Sequence, residues 1–178
     1  MIKVGDRIDE LCLPNIDGSE FDVSQIKGKR YMLSFFRFAA CPFCNLRVHQ
    51  LVENASAWND NFTIVAVFDS PLDNLQRYAD RHQSPFPILA DETNKYYKQF
   101  GVQRSILRTL KGFILRFPQV LNAMFVQGYW PTSFKGNLFT MPLDILVNEQ
   151  GVVELVYLGK DEGDHLPLQD MLTFANKA

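Results

Sequence analysis

Cysteine is scarce in this sequence, and that scarcity is the first constraint. The 178 residues hold three cysteines, three histidines and two tryptophans. Three cysteines are too few for the disulfide-stapled frame of a small secreted domain. No apolar run approaches the roughly 18 residues needed to span a bilayer. No leader of positive charge, apolar stretch and small residues stands at the N-terminus, so the expected compartment is cytoplasmic. A net charge of −2 gives no general attraction to nucleic acid. Internal repeats and low-complexity linkers are missing as well. With 47% hydrophobic residues, what is left is a single α/β domain over 1–178, large enough to bury a core.

The pattern of apolar residues orders that domain. Leu11-Cys12-Leu13 and Phe21-Asp22-Val23 flank Asp17-Gly18 and predict a short hairpin. Tyr31 to Phe36 and Phe62 to Phe68 are apolar enough for strands buried on both faces. Val48, Leu51, Val52, Ala55 and Trp58 recur at helical spacing and predict a helix over 42–59. Helices are also expected over 72–81, over 93–100 with Gly101 as its stop, and over 166–176, and a short strand over 86–89. Ile145 to Val147 and Val152 to Leu158, joined by Asn148-Glu149-Gln150-Gly151, form a second hairpin. Strands alternating with helices, then a hairpin and a closing helix, imply a central mixed sheet flanked by helices.

One stretch breaks the rhythm. Gln103 to Phe139 contains no Asp or Glu, yet carries Arg104, Arg108, Lys111, Arg116 and Lys135 among bulky apolar residues. It is expected to be a mostly helical insertion broken at Gly112, Pro118 and Pro131. It could form an extra packing layer or homodimer surface, a lid or docking surface beside the cysteine pair, or a peripheral attachment to anionic membrane.

The chemistry centres on Cys41-Pro42-Phe43-Cys44. As half of a zinc site this pair lacks its other half, because His49, His82 and His165 are scattered singly; no metal or cofactor is expected. As a static staple it does not suit a cytoplasmic chain. The pair directly follows a buried strand and opens a helix, with Pro42 at the favoured first position. Unpaired N–H groups at a helix N-terminus favour thiolate over thiol, and thiols so placed fall to about 3.5–7.5. A second thiol one turn away can then resolve a mixed disulfide. A second signal is Thr140-Met141-Pro142, just before a strand: a cis Met141–Pro142 bond would explain the proline, the alternative being a trans proline at strand entry.

Together these features resemble the thioredoxin superfamily over nearly the whole chain. The opening VGDRIDELCLPNIDGSEFDVSQIKGKRYMLSFFR is similar to its peroxiredoxin-like branch (alkyl hydroperoxide reductase/thiol-specific antioxidant) and to the thiol–disulfide reductases of cytochrome c maturation. KQFGV and TMPLDILVNEQGVVELVYLG match the order of that group. The resemblance implies a thioredoxin-like fold in which Pro142 and Met141 sit against the cysteine pair and offer backbone groups to substrate. Peroxiredoxins carry Pro-x-x-x-Thr/Ser-x-x-Cys; counting back from Cys44 puts Cys41 at the Thr position and Arg37 at the Pro position. Cys44 thus stands at the peroxidatic position, whereas in thioredoxins Cys41 would attack. Phe35 and Ala40 stand where thioredoxins have a buried Asp and a Trp, so the usual proton acceptor is missing.

Other residues supply candidates for support. Arg37, at the strand end, could hold a thiolate by charge, or simply reach solvent. Arg47, one turn beyond Cys44, fits a solvated helix face better. His165, after the last strand, could be the missing acid or base, or could cap the last helix. Cys12 reads as a small core residue, and His49 and His82 as surface positions. Three functions follow: a thiol–disulfide oxidoreductase, a peroxidase with Cys44 peroxidatic and Cys41 resolving, or a redox-regulated binding protein using the insertion. The partners implied are a disulfide or peroxide substrate and a thiol donor such as a thioredoxin or a low-molecular-weight thiol.

Overall fold

The computed structural model describes residues 1–177. Its centre is a five-stranded mixed sheet in the order β5-β4-β3-β6-β7. The strands are β3 (Arg30–Phe35), β4 (Phe62–Phe68), β5 (Ile88–Ala90), β6 (Leu143–Val147) and β7 (Val153–Leu158), while β1 (Cys12–Pro14) and β2 (Glu20–Asp22) form the expected separate hairpin. β3 runs parallel to β4 and antiparallel to β6, which places β3 in the middle. Alternate residues of β3 and of the position that follows it feed two cores. Met32 and Phe36 join Ile64, Phe68, Leu51, Leu75 and Phe174 on one face, and Leu33 and Phe35 join Val65, Ile145, Tyr97 and Phe100 on the other. A strand buried on both sides explains the unbroken apolar run.

Helices α1 (Pro42–Glu53), α2 (Leu72–Ala79), α3 (Lys95–Phe100) and α6 (Leu168–Ala175) cover the sheet. α1 stops short of the expected residue 59, because the Asn54 side chain donates to the Gln50 carbonyl (2.8 Å) and a 3-10 turn over Ala55–Ala57 follows. α3 ends at Gly101, whose φ of 77° suits glycine.

The insertion is helical, with one correction to its expected breaks. α4 (Ile106–Leu115) runs straight through Gly112, and α5 (Phe117–Leu121) takes Pro118 into its first turn. A π turn over Asn122–Val126 and irregular chain through Pro131 complete it. Val120 and Ala123 face inward as α5 and the π turn pack on α1, while Leu107, Ile114 and Phe125 remain exposed. Its cations turn to acids of other elements: Arg116 to Asp161 (2.7 Å), Lys135 to Asp73 (3.5 Å) and Arg104 to Asp69 (3.8 Å).

The expectation of a cis Met141–Pro142 bond is not met: among the described residues there is no cis peptide. Pro142 lies one residue before β6, so its missing N–H falls outside the ladder and a trans bond costs the sheet nothing.

Candidate active site

The turn bearing the cysteines is fixed from both ends. The Phe36 N–H donates to the Val67 carbonyl (2.8 Å), and Tyr97 Oη donates to the Phe36 carbonyl (2.6 Å) where β3 stops. Cys41 N–H then donates to the Phe38 carbonyl (3.0 Å), and Cys41, with φ −64° and ψ 120°, becomes the N-cap of α1. Asn45 braces the turn through its amide, which donates to the Ala39 (2.8 Å) and Cys41 (2.9 Å) carbonyls. His82 holds that Asn in place (2.9 Å) and is therefore buried, not a surface residue as its sequence position suggested. Burial, then Arg81 and His49, push its imidazole down to about 4, so it stays neutral.

Both sulfurs are free thiols with 0% exposure. Burial opposes charge on Cys41, but the Cys44 thiol, Arg37 and the N–H groups of Cys44 and Phe43 outweigh it and lower its pKa to about 6. Cys44 is pushed the other way, by burial and by its hydrogen bond and charge contact with Cys41. These surroundings favour an anion on Cys41 over one on Cys44.

Arg37 is the charge beside that sulfur. Its Nη1 lies 3.7 Å from Cys41 Sγ, its Nη2 donates to the Leu138 carbonyl, and it is buried instead of reaching solvent. The stretch bearing Leu138 is anchored in turn by Asp69, which accepts from the Asn137 N–H (3.0 Å) and pairs with Arg104. The insertion thus ends by delivering a carbonyl to the guanidinium.

Arg47 is also buried, contrary to the solvated face expected, and it turns away from Cys44. Its Nη2 donates to the Leu166 carbonyl (2.7 Å) beside a second polar cluster. There Asp144 of β6, fully buried, accepts from Ser34 Oγ, the Leu166 N–H (2.7 Å) and His165 Nδ1 (3.1 Å). Burial opposes ionisation of Asp144, yet His165, Arg47 and Ser34 hold it below the ordinary carboxylate range. His165 rests on the Phe36 ring (4.9 Å) with Nε2 unpartnered, and among the described residues it makes no hydrogen bond to either sulfur. The Met141 N–H and the Pro142 carbonyl are already engaged, by the Gln103 carbonyl (2.8 Å) and the Gly159 N–H (2.9 Å). Cys12 sits half-buried in β1, its N–H on Tyr96 Oη (2.9 Å).

Glu162 was not anticipated. It is 1% exposed, in the loop between β7 and α6, and neither carboxyl oxygen bonds to another residue. Burial pushes its pKa up to about 7, with its own N–H and Arg37 pulling down and Asp161 and Cys41 pushing up. Only its contact with Gly112 of α4 left a trace in sequence: a Cβ there would collide with the carboxyl.

A Cys-Pro-Phe-Cys turn that opens a helix from the central strand of a five-stranded mixed sheet defines the thioredoxin-like class of folds. Within that class the chain belongs to the AhpC/TSA family, whose model matches residues 4–156. It is 26% identical over 102 residues to Peroxiredoxin Bcp of Escherichia coli K12, a match covering 57% of this chain and 65% of that protein, less than two thirds of the relative's length. The fold is similar to peroxidoxin BcpB of Mycobacterium tuberculosis, with a TM-score of 0.71 at 16% identity over 98% of this chain and 97% of that one. It is also similar to a point mutant of peroxiredoxin 6 of Arenicola marina, with a TM-score of 0.74 at 11% identity over 99% and 73% of the two chains.

Proposed function

We propose that the chain is a thiol–disulfide oxidoreductase in which Cys41 attacks and Cys44 resolves. The observation that supports this is the split between the sulfurs: Arg37, the helix N-terminus and the Cys44 thiol all favour an anion on Cys41, while Cys44 keeps its proton. The Cys41 thiolate attacks one sulfur of a substrate disulfide; that S–S bond breaks and one half leaves as a thiolate. Once Cys41 is bonded, the Cys44 thiol loses its acceptor, gives up its proton and attacks Cys41 Sγ. The second half leaves, a Cys41–Cys44 disulfide remains, and two electrons have passed to the substrate. A thiol donor such as a thioredoxin or a low-molecular-weight thiol returns them.

A second reading, a thiol peroxidase, is favoured by the family and by the peroxiredoxin relative. There a thiolate attacks a peroxide oxygen, the O–O bond breaks, and an alcohol or water leaves with a proton. The resulting sulfenic acid condenses with the other thiol and releases water. Counting back along the peroxiredoxin motif favours Cys44 as the attacking thiol in that chemistry; the surroundings of Cys41 favour Cys41 for either substrate.

Stopped-flow oxidation by hydrogen peroxide and by a model protein disulfide separates the two substrates. Single variants separate the roles. Cys44→Ser is expected to trap a mixed disulfide, or a sulfenic acid, on Cys41, and Cys41→Ser to trap neither. Trapping on Cys44 in Cys41→Ser, with none in Cys44→Ser, reverses the assignment.

A further inference from the structure

We infer that the insertion is a membrane-contact surface: α4 and the chain after it dock on an anionic lipid bilayer, with their apolar side chains in the interfacial layer and Arg108 and Lys111 against the headgroups. The inference is independent of which cysteine attacks and of whether the substrate is a disulfide or a peroxide.

The amphipathic pattern of α4 is turned outward. At 3.6 residues per turn, Ile106, Leu107, Leu110, Phe113 and Ile114 share an arc of roughly 120°. Their exposure runs from 48% at Phe113 to 81% at Leu107. Gly112, the buried residue of this helix, lies nearly opposite, where the carboxyl of Glu162 meets it. A surface helix ordinarily puts such an apolar arc on the core. Here the core contact of the insertion is made elsewhere, where Val120 and Ala123 face inward as α5 and the π turn pack on α1. Beyond the arc, Phe117 stands edge-on to Phe113 (6.0 Å) and Phe125 edge-on to Trp130 (5.1 Å), and all four rings remain 45–69% exposed. Apolar surface left this open marks a contact site.

Charge selects the occupant. Residues 103–139 hold five cations and no acid. Arg104, Arg116 and Lys135 are matched by acids of the body, Asp69, Asp161 and Asp73. Arg108 and Lys111 follow the apolar arc on one side of the helix. Neither meets an acid among the described residues, and Arg108 donates to the neutral Gln103 side chain (3.1 Å). A second copy related by a twofold axis would set this acid-free face against itself, cation toward cation. An anionic bilayer supplies the missing charge, and its fluid interface takes up protruding rings and branched chains without a groove shaped to them. An apolar arc edged by Lys and Arg is the composition that lies in such an interface. No helix among the described residues is long and apolar enough to cross a membrane; the contact is with one surface.

The test uses the full chain, kept reduced, with vesicles of phosphatidylcholine alone and of an equimolar mixture with phosphatidylserine. Co-sedimentation is expected with the mixed vesicles, weakened by added salt. Each basic residue near such a surface strengthens partitioning about fivefold, so the double variant Arg108→Gln, Lys111→Gln should bind the mixed vesicles about 25-fold less tightly. The double variant Leu107→Glu, Ile114→Glu replaces solvent-facing side chains, should keep its far-ultraviolet circular dichroism, and is expected to bind neither vesicle. In Trp58→Phe the one remaining tryptophan is Trp130, whose emission should shift to the blue on the mixed vesicles. Equal partitioning onto both vesicles, binding that survives Leu107→Glu with Ile114→Glu, or an unmoved Trp130 emission overturns the inference. Absence of binding overturns it as well: a dimer in sedimentation equilibrium that Leu107→Glu with Ile114→Glu splits then gives the face to a second copy of this chain, and a monomer gives it to another protein.

Discussion

Asp144 and Glu162 are two carboxyl groups shut away from solvent at one end of the sheet, yet they are held in opposite states. Asp144 accepts from Ser34, His165 and Leu166, with Arg47 close by, and these partners keep it ionised against the pull of burial. Glu162, at 1% exposure, accepts from no other residue, and burial keeps it protonated to about pH 7. Burial opposes charge in both pockets, and only Asp144 has the partners that overcome it. One pocket is a fixed structural charge. The other keeps its proton up to about pH 7.

The most disruptive way to break this contrast is Asp144→Ala, which strands Arg47 and leaves His165 without its acceptor. Removing one member of a buried ionic cluster typically costs about 3–5 kcal/mol, and chemical denaturation should show a loss of that order. A loss below about 1 kcal/mol would mean that the cluster carries little charge.

A second test sets the two carboxyls against each other through pH. The folded-state pKa of Glu162 is raised above the ordinary 4.5, so its contribution to stability is fully present below 4.5 and is lost as pH rises to about 7. On this account unfolding free energy falls by on the order of 3 kcal/mol over that window, and Glu162→Gln flattens the slope. Asp144 is depressed, so its contribution is present above the ordinary 3.8 and is lost on further acidification. Denaturation midpoints between pH 3 and 8 read both slopes, and they should have opposite signs.

A third, smaller effect isolates the cation beside Cys41. Arg37→Met should raise the Cys41 pKa from about 6 by about one unit, seen as a displaced thiolate absorbance titration and slower alkylation at pH 6.5. An unmoved titration would assign the thiolate to the helix N-terminus and Cys44 alone.

Much of this was legible in the sequence. The apolar run of β3, the Cys-Pro-Phe-Cys turn with Pro42 at the helix start, and the Asn148–Gly151 turn are local signals, and each element formed where its pattern placed it. Arg37 was found because it lies four residues from Cys41. The polar clusters were hidden because their members meet only through the fold. Ser34, Asp144 and His165 come from three separate segments, and an Asp inside an apolar β6 gives no sign of what it accepts from. Gly112 looked like a helix breaker because the residue it accommodates lies beyond two further strands. Arg47 and His82 carry polar sequence signals, and only their distant partners, Leu166 and Asn45, explain why they are inside.

The complete enclosure of both sulfurs has a kinetic corollary. A solute cannot collide with an atom that presents no surface, so reaction proceeds only through the fraction of molecules in which the turn has momentarily opened. At low substrate the observed rate is the opening equilibrium multiplied by the intrinsic attack rate, and it carries the preference of the thiolate for each substrate. At high substrate every opening is captured, and the rate becomes the frequency of opening itself. Chemically unlike oxidants should then converge on one plateau, a property of the polypeptide and not of the sulfur.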